Sequence, residues 1–171
     1  DGSIQVYYGN GRGKTTAALG LGIRAAGVGK QVIMVQFLKK KHSDTLDFLK
    51  KLEPELQIFR FEKAACGYSD LSPKEKQEQM LNIKNALGYS RKVLDTGQCD
   101  LLILDEIFGL VDYNIITIEE LMDLIAVKKD SMDLILTGRN LPDEVREIAD
   151  CVYSIQREKE KTPEILAQGN F

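Results

Sequence analysis

The sequence predicts a three-layer α/β domain, in which a mostly parallel β-sheet is flanked by helices. Short apolar runs recur along the 171 residues, and segments with helical patterns lie between them. The central apolar runs, VIMVQF, LLILD and DLILT, hardly alternate between apolar and polar residues. Such runs are typical of strands buried on both faces, as in a parallel sheet covered by helices.

Six short apolar runs are predicted to be strands. In chain order they are Ile4–Tyr8, Gln31–Phe37, Leu56–Phe61, Leu101–Asp105, Asp133–Thr137 and Val152–Ile155. The order of these strands within the sheet does not follow from the residues themselves.

Four helices are predicted, and their start signals support them. Ser72 followed by Pro73 and Glu75 combines an N-cap, a first-turn proline and a capping box, and Thr117 with Glu120 repeats the capping box. The helices are Thr15–Val28, one from Ser72 to Asp95, one that opens at Thr117, and one from Leu141 to Ala149.

The chain is predicted to form a single nucleotide-binding domain over residues 1–171. A chain of this length can bury a real core. Glu62–Leu71 is predicted to be a loop, and residues 158–171 a polar C-terminal tail without a clear period. Ligands of open α/β sheets bind beyond the carboxyl ends of the strands, so the loop is expected to border the site.

Charge disfavours nucleic acid as a partner, because the net charge is −3 and nucleic-acid binders carry a concentrated positive surface. The one basic run, Lys39–His42 with Lys50 and Lys51 beyond it, is interpreted as a solvated loop. Contact between this run and an anionic ligand is the alternative interpretation.

The cysteines favour a reducing compartment. Cys66, Cys99 and Cys151 are odd in number and widely separated, which indicates neither a disulfide framework nor a zinc knuckle. No apolar stretch approaches the ~20 residues that cross a bilayer. We therefore expect a cytoplasmic protein without a membrane segment.

A glycine-rich loop, GNGRGKTT, stands directly between the first predicted strand and the first predicted helix. Its three glycines allow the backbone to approach an anion, the Lys14 ammonium can reach phosphate oxygens, and the Thr15 hydroxyl can bind Mg²⁺. The usual phosphate-loop pattern has a glycine five residues before Gly13, where this chain has Tyr8. The alternative is a glycine-rich turn that binds nothing, and Thr16 could simply cap or pack.

Two further strand ends carry polar residues suited to the same site. Asp105 and Glu106 end an apolar strand in the manner of a Walker B element and could hold a metal directly or through water. Arg139, which follows Thr137 and Gly138, could bind phosphate or lie exposed in a loop. Arg24, in the first helix, would by itself be taken for surface charge.

With these motifs, the sequence resembles the ATP:corrinoid adenosyltransferases that act on cob(I)alamin and cob(I)yrinic acid a,c-diamide. The resemblance rests on GNGRGKTTAALGLGIRAAG, VIMVQFLK, LLILDEI and LILTGRN, in this order and with similar spacing. It covers nearly the whole chain, from Ile4 to about Ile155. The first block is the most specific, because the shortened loop followed by TTAALGL is this family's own pattern.

The resemblance implies that the chain transfers the 5′-deoxyadenosyl group of ATP to the Co(I) of a reduced corrinoid and releases triphosphate. The reaction would serve adenosylcobalamin biosynthesis or salvage. It also implies a phosphate-loop NTPase-like (RecA-like) fold, Mg²⁺, and a homodimer, with a flavoprotein-type electron donor as a further candidate partner. Because Co(I) is itself a strong nucleophile, no catalytic acid or base is expected, and the chain has one histidine.

The resemblance also assigns the candidate site residues, of which Lys14 is the most critical. The residues that would contact ATP are Gly9, Asn10, Gly11, Arg12, Gly13, Lys14, Thr15, Thr16, Arg24 and Arg139. Asn10 would lie near the nucleoside. Thr15 and Glu106 would bind Mg²⁺, and Asp105 would act on the metal indirectly.

The chain departs from the family on the corrinoid side. Relatives have G-F-T-W before the long helix, an aromatic pair that displaces the lower corrinoid ligand, where this chain has Gly67-Tyr68-Ser69-Asp70. Tyr68 could keep the first aromatic role, but Asp70 cannot stack as tryptophan does. A different natural corrinoid, a different way of displacing the ligand, or a reduced activity would each account for the change.

Two other functions remain open at this point. One is a generic phosphate-loop ATPase or kinase, in which Glu106 activates water or a bound hydroxyl. The other is a non-catalytic module that binds ATP or a corrinoid. The products formed from ATP separate all three functions.

Overall fold

The computed structural model of the chain describes residues 1–40, 45–63 and 70–160. One six-stranded sheet forms the centre, in the order β3-β2-β4-β5-β1-β6, and every pairing between neighbouring strands is parallel. The strands are β1 Ile4–Tyr8, β2 Val32–Lys40, β3 Leu56–Lys63, β4 Leu101–Asp105, β5 Asp133–Gly138 and β6 Cys151–Ser154. The predicted α/β class is therefore confirmed, and the sheet within the described residues is wholly parallel.

Within the described residues, six α-helices accompany the sheet. They are α1 Lys14–Gly27, α2 Thr45–Leu49, α3 Pro73–Thr96, α4 Ile107–Asp112, α5 Ile118–Ala126 and α6 Asp143–Ile148, and a 3-10 turn, Lys50–Leu52, follows α2. Both predicted capping boxes are present, with Ser72 and Glu75 bonded reciprocally at α3 and Thr117 and Glu120 at α5. These local signals therefore place the two helix starts correctly.

Four elements differ most from the prediction. β2 and β3 run on together beyond the apolar residues, to Lys40 and Lys63, so the first two residues of the predicted loop Glu62–Leu71 belong to a strand. The helices α2 and α4 were not predicted. At five and six residues, neither is long enough to show a helical period.

The two faces of the sheet bury separate apolar cores. In β4, every residue of which is buried, Leu101 and Ile103 belong to the core beneath α1. Leu102 and Leu104 belong to the core beneath α3, α4 and α5. This two-sided burial explains why the strand reads as a continuous apolar run.

Helix α1 lies close to the sheet because Gly22 has no side chain. A Cβ at this position would lie 3.1 Å from Cδ1 of Ile103 and 3.4 Å from Cγ1 of Val32. The helix thus crosses the sheet with its N-terminus at the carboxyl edge, directly after β1.

Strand order decides which residues meet at that edge. β5 lies between β1 and β4, so the segments that follow β1, β5 and β4 lie side by side at this edge. Ligands of open parallel sheets bind at this edge, so a functional site is expected here. No helix within the described ranges is long and apolar enough to cross a membrane.

Candidate functional site

The glycine-rich loop ends in a left-handed glycine that starts α1. Gly13 is the N-cap residue, with φ 103°, a conformation that L side chains rarely adopt. The first helical hydrogen bond runs from the Ala17 amide to the Gly13 carbonyl at 2.8 Å. The amides of Lys14, Thr15 and Thr16 precede this bond, so they form the free N-terminal turn of the helix, which favours an anion.

Gly9 and Gly11 have a packing role that the sequence did not suggest. The Gly9 amide donates to the carbonyls of Gly138 and Arg139, and the Gly11 amide donates to the carbonyl of Ile155. A Cβ on either glycine would lie within 3 Å of the Ile155 carbonyl oxygen. These two glycines therefore let the loop pack against the segment after β6, and their amides are already bonded within the protein.

Asp105 is the centre of the site and is fully buried. Oγ1 of Thr15 lies 3.0 Å from each of its carboxylate oxygens, and Oγ1 of Thr137 donates to it at 2.6 Å. Nε2 of Gln36 donates at 3.4 Å, and Nζ of Lys39 forms a salt bridge at 3.1 Å. One carboxylate thus joins the starts or ends of α1, β2, β4 and β5.

The expectation of a solvated basic loop is wrong for Lys39, which lies in β2 and faces Asp105. Its side chain is 26% exposed, and its ammonium donates to Oγ1 of Thr15 at 3.0 Å as well as pairing with Asp105. Arg60, in β3, contacts the same network through two bonds to Oε1 of Gln36, at 3.0 and 3.1 Å. The sequence feature that could have indicated this role is the pair of polar residues, Gln36 and Lys39, at the end of the apolar run VIMVQF. Lys41 and His42, the last residues of the basic run, lie outside the described residues.

Glu106 stands in a left-handed conformation, with φ 62°, and is the N-cap residue of α4. Its amide donates to Oγ1 of Thr137 at 2.9 Å, so the threonine holds this strained residue and Asp105 together. Strain of this kind at a non-glycine residue is common at functional sites. Here the left-handed conformation turns the chain sharply from β4 into α4, and Glu106 lines the cleft.

The side chain of Lys14 folds back over its own loop, where Nζ donates to the Gly11 carbonyl at 2.8 Å. Burial lowers the pKa of this ammonium, and the positive charges of Lys39 and Arg139 act in the same direction, whereas Glu106 and Asp105 oppose them. Three cations therefore meet beside the loop. An anion bound among them would relieve their mutual repulsion.

The cleft at this edge has two lobes that share Asn10, Lys14 and Glu106. The first lobe, of about 540 Å³, follows the loop and includes Lys39 and Arg60; the second, of about 420 Å³, includes Arg139. Each has the volume of a small-molecule site. The remaining residues of the first lobe are Gly11, Arg12, Gly13, Thr15, Thr16, Leu19, Gln36 and Leu49. Those of the second lobe are Gly9, Gly109, Asp112, Tyr113 and Asn140.

Most of the predicted ATP-contacting residues meet in this cleft. Asn10 also accepts a bond from the Arg157 amide at 2.9 Å, which ties the loop to the segment after β6. Arg24 is not among the residues that line either lobe, because it is exposed in the last turn of α1, about 15 Å along the helix from Lys14. Of the corrinoid-side pair, Tyr68 lies outside the described residues, and Asp70 is exposed just before α3.

The donor set suits Mg²⁺. Hydroxyl and carboxylate oxygens, which this ion prefers, meet at Thr15 and Asp105, where a cation, the ammonium of Lys39, already bridges them. Glu106 lines the same lobe of the cleft as Thr15. The described ranges contain no cluster of three or more His, Cys, Asp and Glu side chains suited to a metal. Mg²⁺ does not need such a cluster, because it usually takes one or two carboxylates together with substrate phosphates.

Comparisons with known proteins point to one family. Residues 1–168 match the family described as ATP:corrinoid adenosyltransferase BtuR/CobO/CobP. The chain is 30% identical over 155 residues to a corrinoid adenosyltransferase of Escherichia coli K12, which covers 91% of this chain and 76% of the relative. The corrinoid adenosyltransferase CobA of Salmonella typhimurium matches with the same identity and coverage. A corrinoid adenosyltransferase of Pseudomonas aeruginosa is 24% identical over 152 residues, 88% of this chain and 73% of the relative.

Proposed function

This chain belongs to the ATP:corrinoid adenosyltransferase family, and we propose that it transfers the 5′-deoxyadenosyl group of ATP to the Co(I) of a reduced corrinoid, releasing triphosphate. Membership makes the chain a transferase, and the family uses ATP and a corrinoid as substrates. The observation that carries the finer proposal is the meeting of Lys14, Lys39 and Arg139 beside the loop. Such a cluster suits a leaving group as highly charged as triphosphate.

The proposed reaction requires no proton acceptor. The electron pair of Co(I) forms a bond to C5′ of ATP, and the C5′–O bond breaks with its electrons passing to the triphosphate. The protein has to position the two substrates, neutralise the growing charge on triphosphate and exclude water. The single histidine of the chain, His42, is consistent with this requirement.

The residues of the first lobe would hold the triphosphate. The amides at the start of α1 and the ammonium of Lys14 face this lobe, and Arg139 approaches from the second. Mg²⁺ would be held by Thr15 and Glu106, with Asp105 acting on it indirectly, and when bound it would neutralise phosphate charge. Asn10, which lines both lobes, would then lie where triphosphate meets nucleoside.

The corrinoid would approach from the side of the segment before α3. Asp70 stands there in place of the family tryptophan, so we propose that the preferred substrate is a corrinoid without a tightly bound lower base. Tyr68 would supply the remaining aromatic contact. The homodimer, the flavoprotein-type electron donor, the cytoplasmic location and a nucleotide contact by Arg24 are further parts of the proposal that rest on the family resemblance.

Product analysis tests the proposal. The protein is incubated with ATP, Mg²⁺ and a chemically reduced corrinoid, and phosphates and corrinoids are separated and quantified. We expect triphosphate and a Co–C bond in equal amounts. Lys14→Met is the matched inactive variant, because it removes the loop ammonium and keeps the length of the side chain.

Other products would assign another function. ADP and phosphate would show an ATPase, and ATP that remains intact with wild-type protein would show a binding module. Either result contradicts the proposed transfer. A product ratio far from one triphosphate per Co–C bond would do so as well.

A further inference from the structure

One ammonium occupies the position between a loop hydroxyl and a buried carboxylate. Nζ of Lys39 lies 3.0 Å from Oγ1 of Thr15 and 3.1 Å from Oδ2 of Asp105. A serine or threonine hydroxyl and a carboxylate are the groups that phosphate-loop proteins offer to Mg²⁺. Lys39 therefore stands where a divalent cation would compete for the same oxygens.

Asp105 requires a positive charge at this position. Its side chain has no exposed surface, and an ionised carboxylate is costly to bury without a paired charge. Among the salt bridges of the described residues, Lys39 provides the one to Asp105. Thr15, Thr137 and Gln36 contribute hydrogen bonds but no charge.

The backbone of β2 is distorted at the point that directs Lys39 into the site. Residues three apart on a regular strand point to opposite faces, yet Gln36 and Lys39 both contact Asp105. The register with β3 shifts between these two residues, and Leu38 has φ 55°, in the left-handed region. Bulges of this kind often redirect a side chain beside a functional site, and strain in a leucine needs compensation.

We propose that Lys39 is the resident cation of the loop, which holds the position between Thr15 and Asp105 before nucleotide arrives and thereby excludes free Mg²⁺. Mg²⁺ that arrives with ATP would be held at this position by Thr15, with Asp105 acting on it indirectly, as in the proposed function. Displaced, the ammonium of Lys39 stays in the first lobe, which it lines with Lys14, and joins the charges that face the triphosphate. This last step rests on the proposed function, whereas the exclusion of free Mg²⁺ does not.

Thermal unfolding without nucleotide tests the exclusion. The full chain is unfolded in EDTA and in 10 mM MgCl₂ at matched ionic strength, as wild type, Lys39→Met and Lys50→Met. Lys50 is the matched control, because its ammonium lies at the same 3.1 Å from a carboxylate, that of Asp47, but in an exposed pair. We expect Mg²⁺ to leave wild type and Lys50→Met unchanged and to raise the Tm of Lys39→Met by about 3 °C.

A double variant shows where the metal acts. In Lys39→Met with Asp105→Asn, both charges are removed, so the Tm should not respond to Mg²⁺. A response of wild type equal to that of Lys39→Met would overturn the proposal, as would a Lys39→Met protein that ignores Mg²⁺. Failure of Lys39→Met to fold even in 10 mM MgCl₂ would also overturn it, because the metal would then be unable to replace the ammonium.

Binding of Mg²⁺·ATP tests the second step. We expect Lys39→Met to bind Mg²⁺·ATP about 10-fold more weakly than wild type by calorimetry, because one charge facing the triphosphate is lost. Equal affinities would show that Lys39 does not join the triphosphate. The unfolding experiment uses neither ATP nor a corrinoid, so its result stands whatever the product analysis shows.

Discussion

The hydroxyl of Thr15 lies 3.0 Å from both carboxylate oxygens of Asp105, although the two residues are 90 positions apart in the chain. This contact ties the first turn of α1 to the end of β4. It brings a hydroxyl and a carboxylate together beside the glycine-rich loop. The fold thus joins two sequence motifs that separately indicate little more than a loop and a strand.

Replacement of Asp105 by asparagine tests this contact. The amide keeps the shape but lacks the charge that pairs with Lys39, which leaves a half-buried ammonium uncompensated. We expect the free energy of unfolding to fall by about 2–3 kcal/mol in denaturant titrations. Asp47→Asn, in an exposed ion pair, should leave the midpoint unchanged; equal effects of the two changes would refute the central role of Asp105.

Loss of the Lys14 ammonium should impair nucleotide binding without unfolding the protein. In the described contacts this side chain bonds to the carbonyl of its own loop, so its removal costs little stability. We expect Lys14→Met to bind ATP at least about 10-fold more weakly, with a Tm close to that of wild type. Lys84→Met removes a charge from the exposed surface of α3 and should bind normally; calorimetry with all three proteins decides the matter.

Gly138, at the end of β5, should not tolerate a side chain. A Cβ there would lie 2.5 Å from Cβ of Phe108 in α4, so the strand and the helix would have to separate. We expect Gly138→Ala to lower the free energy of unfolding by about 1–3 kcal/mol. Gly20→Ala, in α1 with nothing within 4 Å, should instead raise it by about 0.5–1 kcal/mol. If backbone entropy alone governed both positions, both substitutions would raise the free energy of unfolding, and that result would contradict the prediction.

Cys99 should make the protein less stable at alkaline pH. Burial raises the pKa of its thiol from 9.0 to about 12. Above pH 9 the unfolded chain therefore releases a proton that the folded chain retains, so rising pH favours unfolding. We expect the free energy of unfolding to fall more steeply between pH 9 and 11 in wild type than in Cys99→Ala. Parallel pH profiles for the two proteins would contradict this expectation.

Asp70→Trp should improve the handling of corrinoids that carry a lower base. Tryptophan would restore the family's second aromatic residue in the segment before α3, and with it the displacement of the lower ligand. We expect faster reduction of such a corrinoid in the presence of ATP, followed in its absorption spectrum. Asp70→Ala is the control for loss of charge, and a Trp variant no better than the Ala variant would show that the segment is misaligned.

Much of the site was accessible from the sequence because its signals are local. A phosphate loop is indicated by the spacing of Gly9–Thr16 between a strand and a helix. A metal-binding strand end is indicated by Asp105, which ends an apolar run. The role of Gly9 and Gly11 was not accessible in this way. It depends on the Ile155 carbonyl, which a distant strand brings against the loop.

The contact of Lys39 with Asp105 could not be predicted from the sequence. In the sequence it is the first of a basic run, and such runs are usually solvated. A bulge in β2 turns it towards a carboxylate contributed by the neighbouring strand. Neither the bulge nor the neighbour can be recognised from the local residues.

The sequence by itself determined the alternation of strands and helices, the capped helix starts and the position of the glycine-rich loop between β1 and α1, since each depends on residues close together in the chain. Tertiary structure decided that β5 lies between β1 and β4, that Thr137 holds Asp105 and Glu106 together, and that Lys39 neutralises the buried carboxylate. These features depend on strand order and on two strained backbone positions, Leu38 and Glu106. Only the packed sheet makes strand ends that are distant in sequence into neighbours.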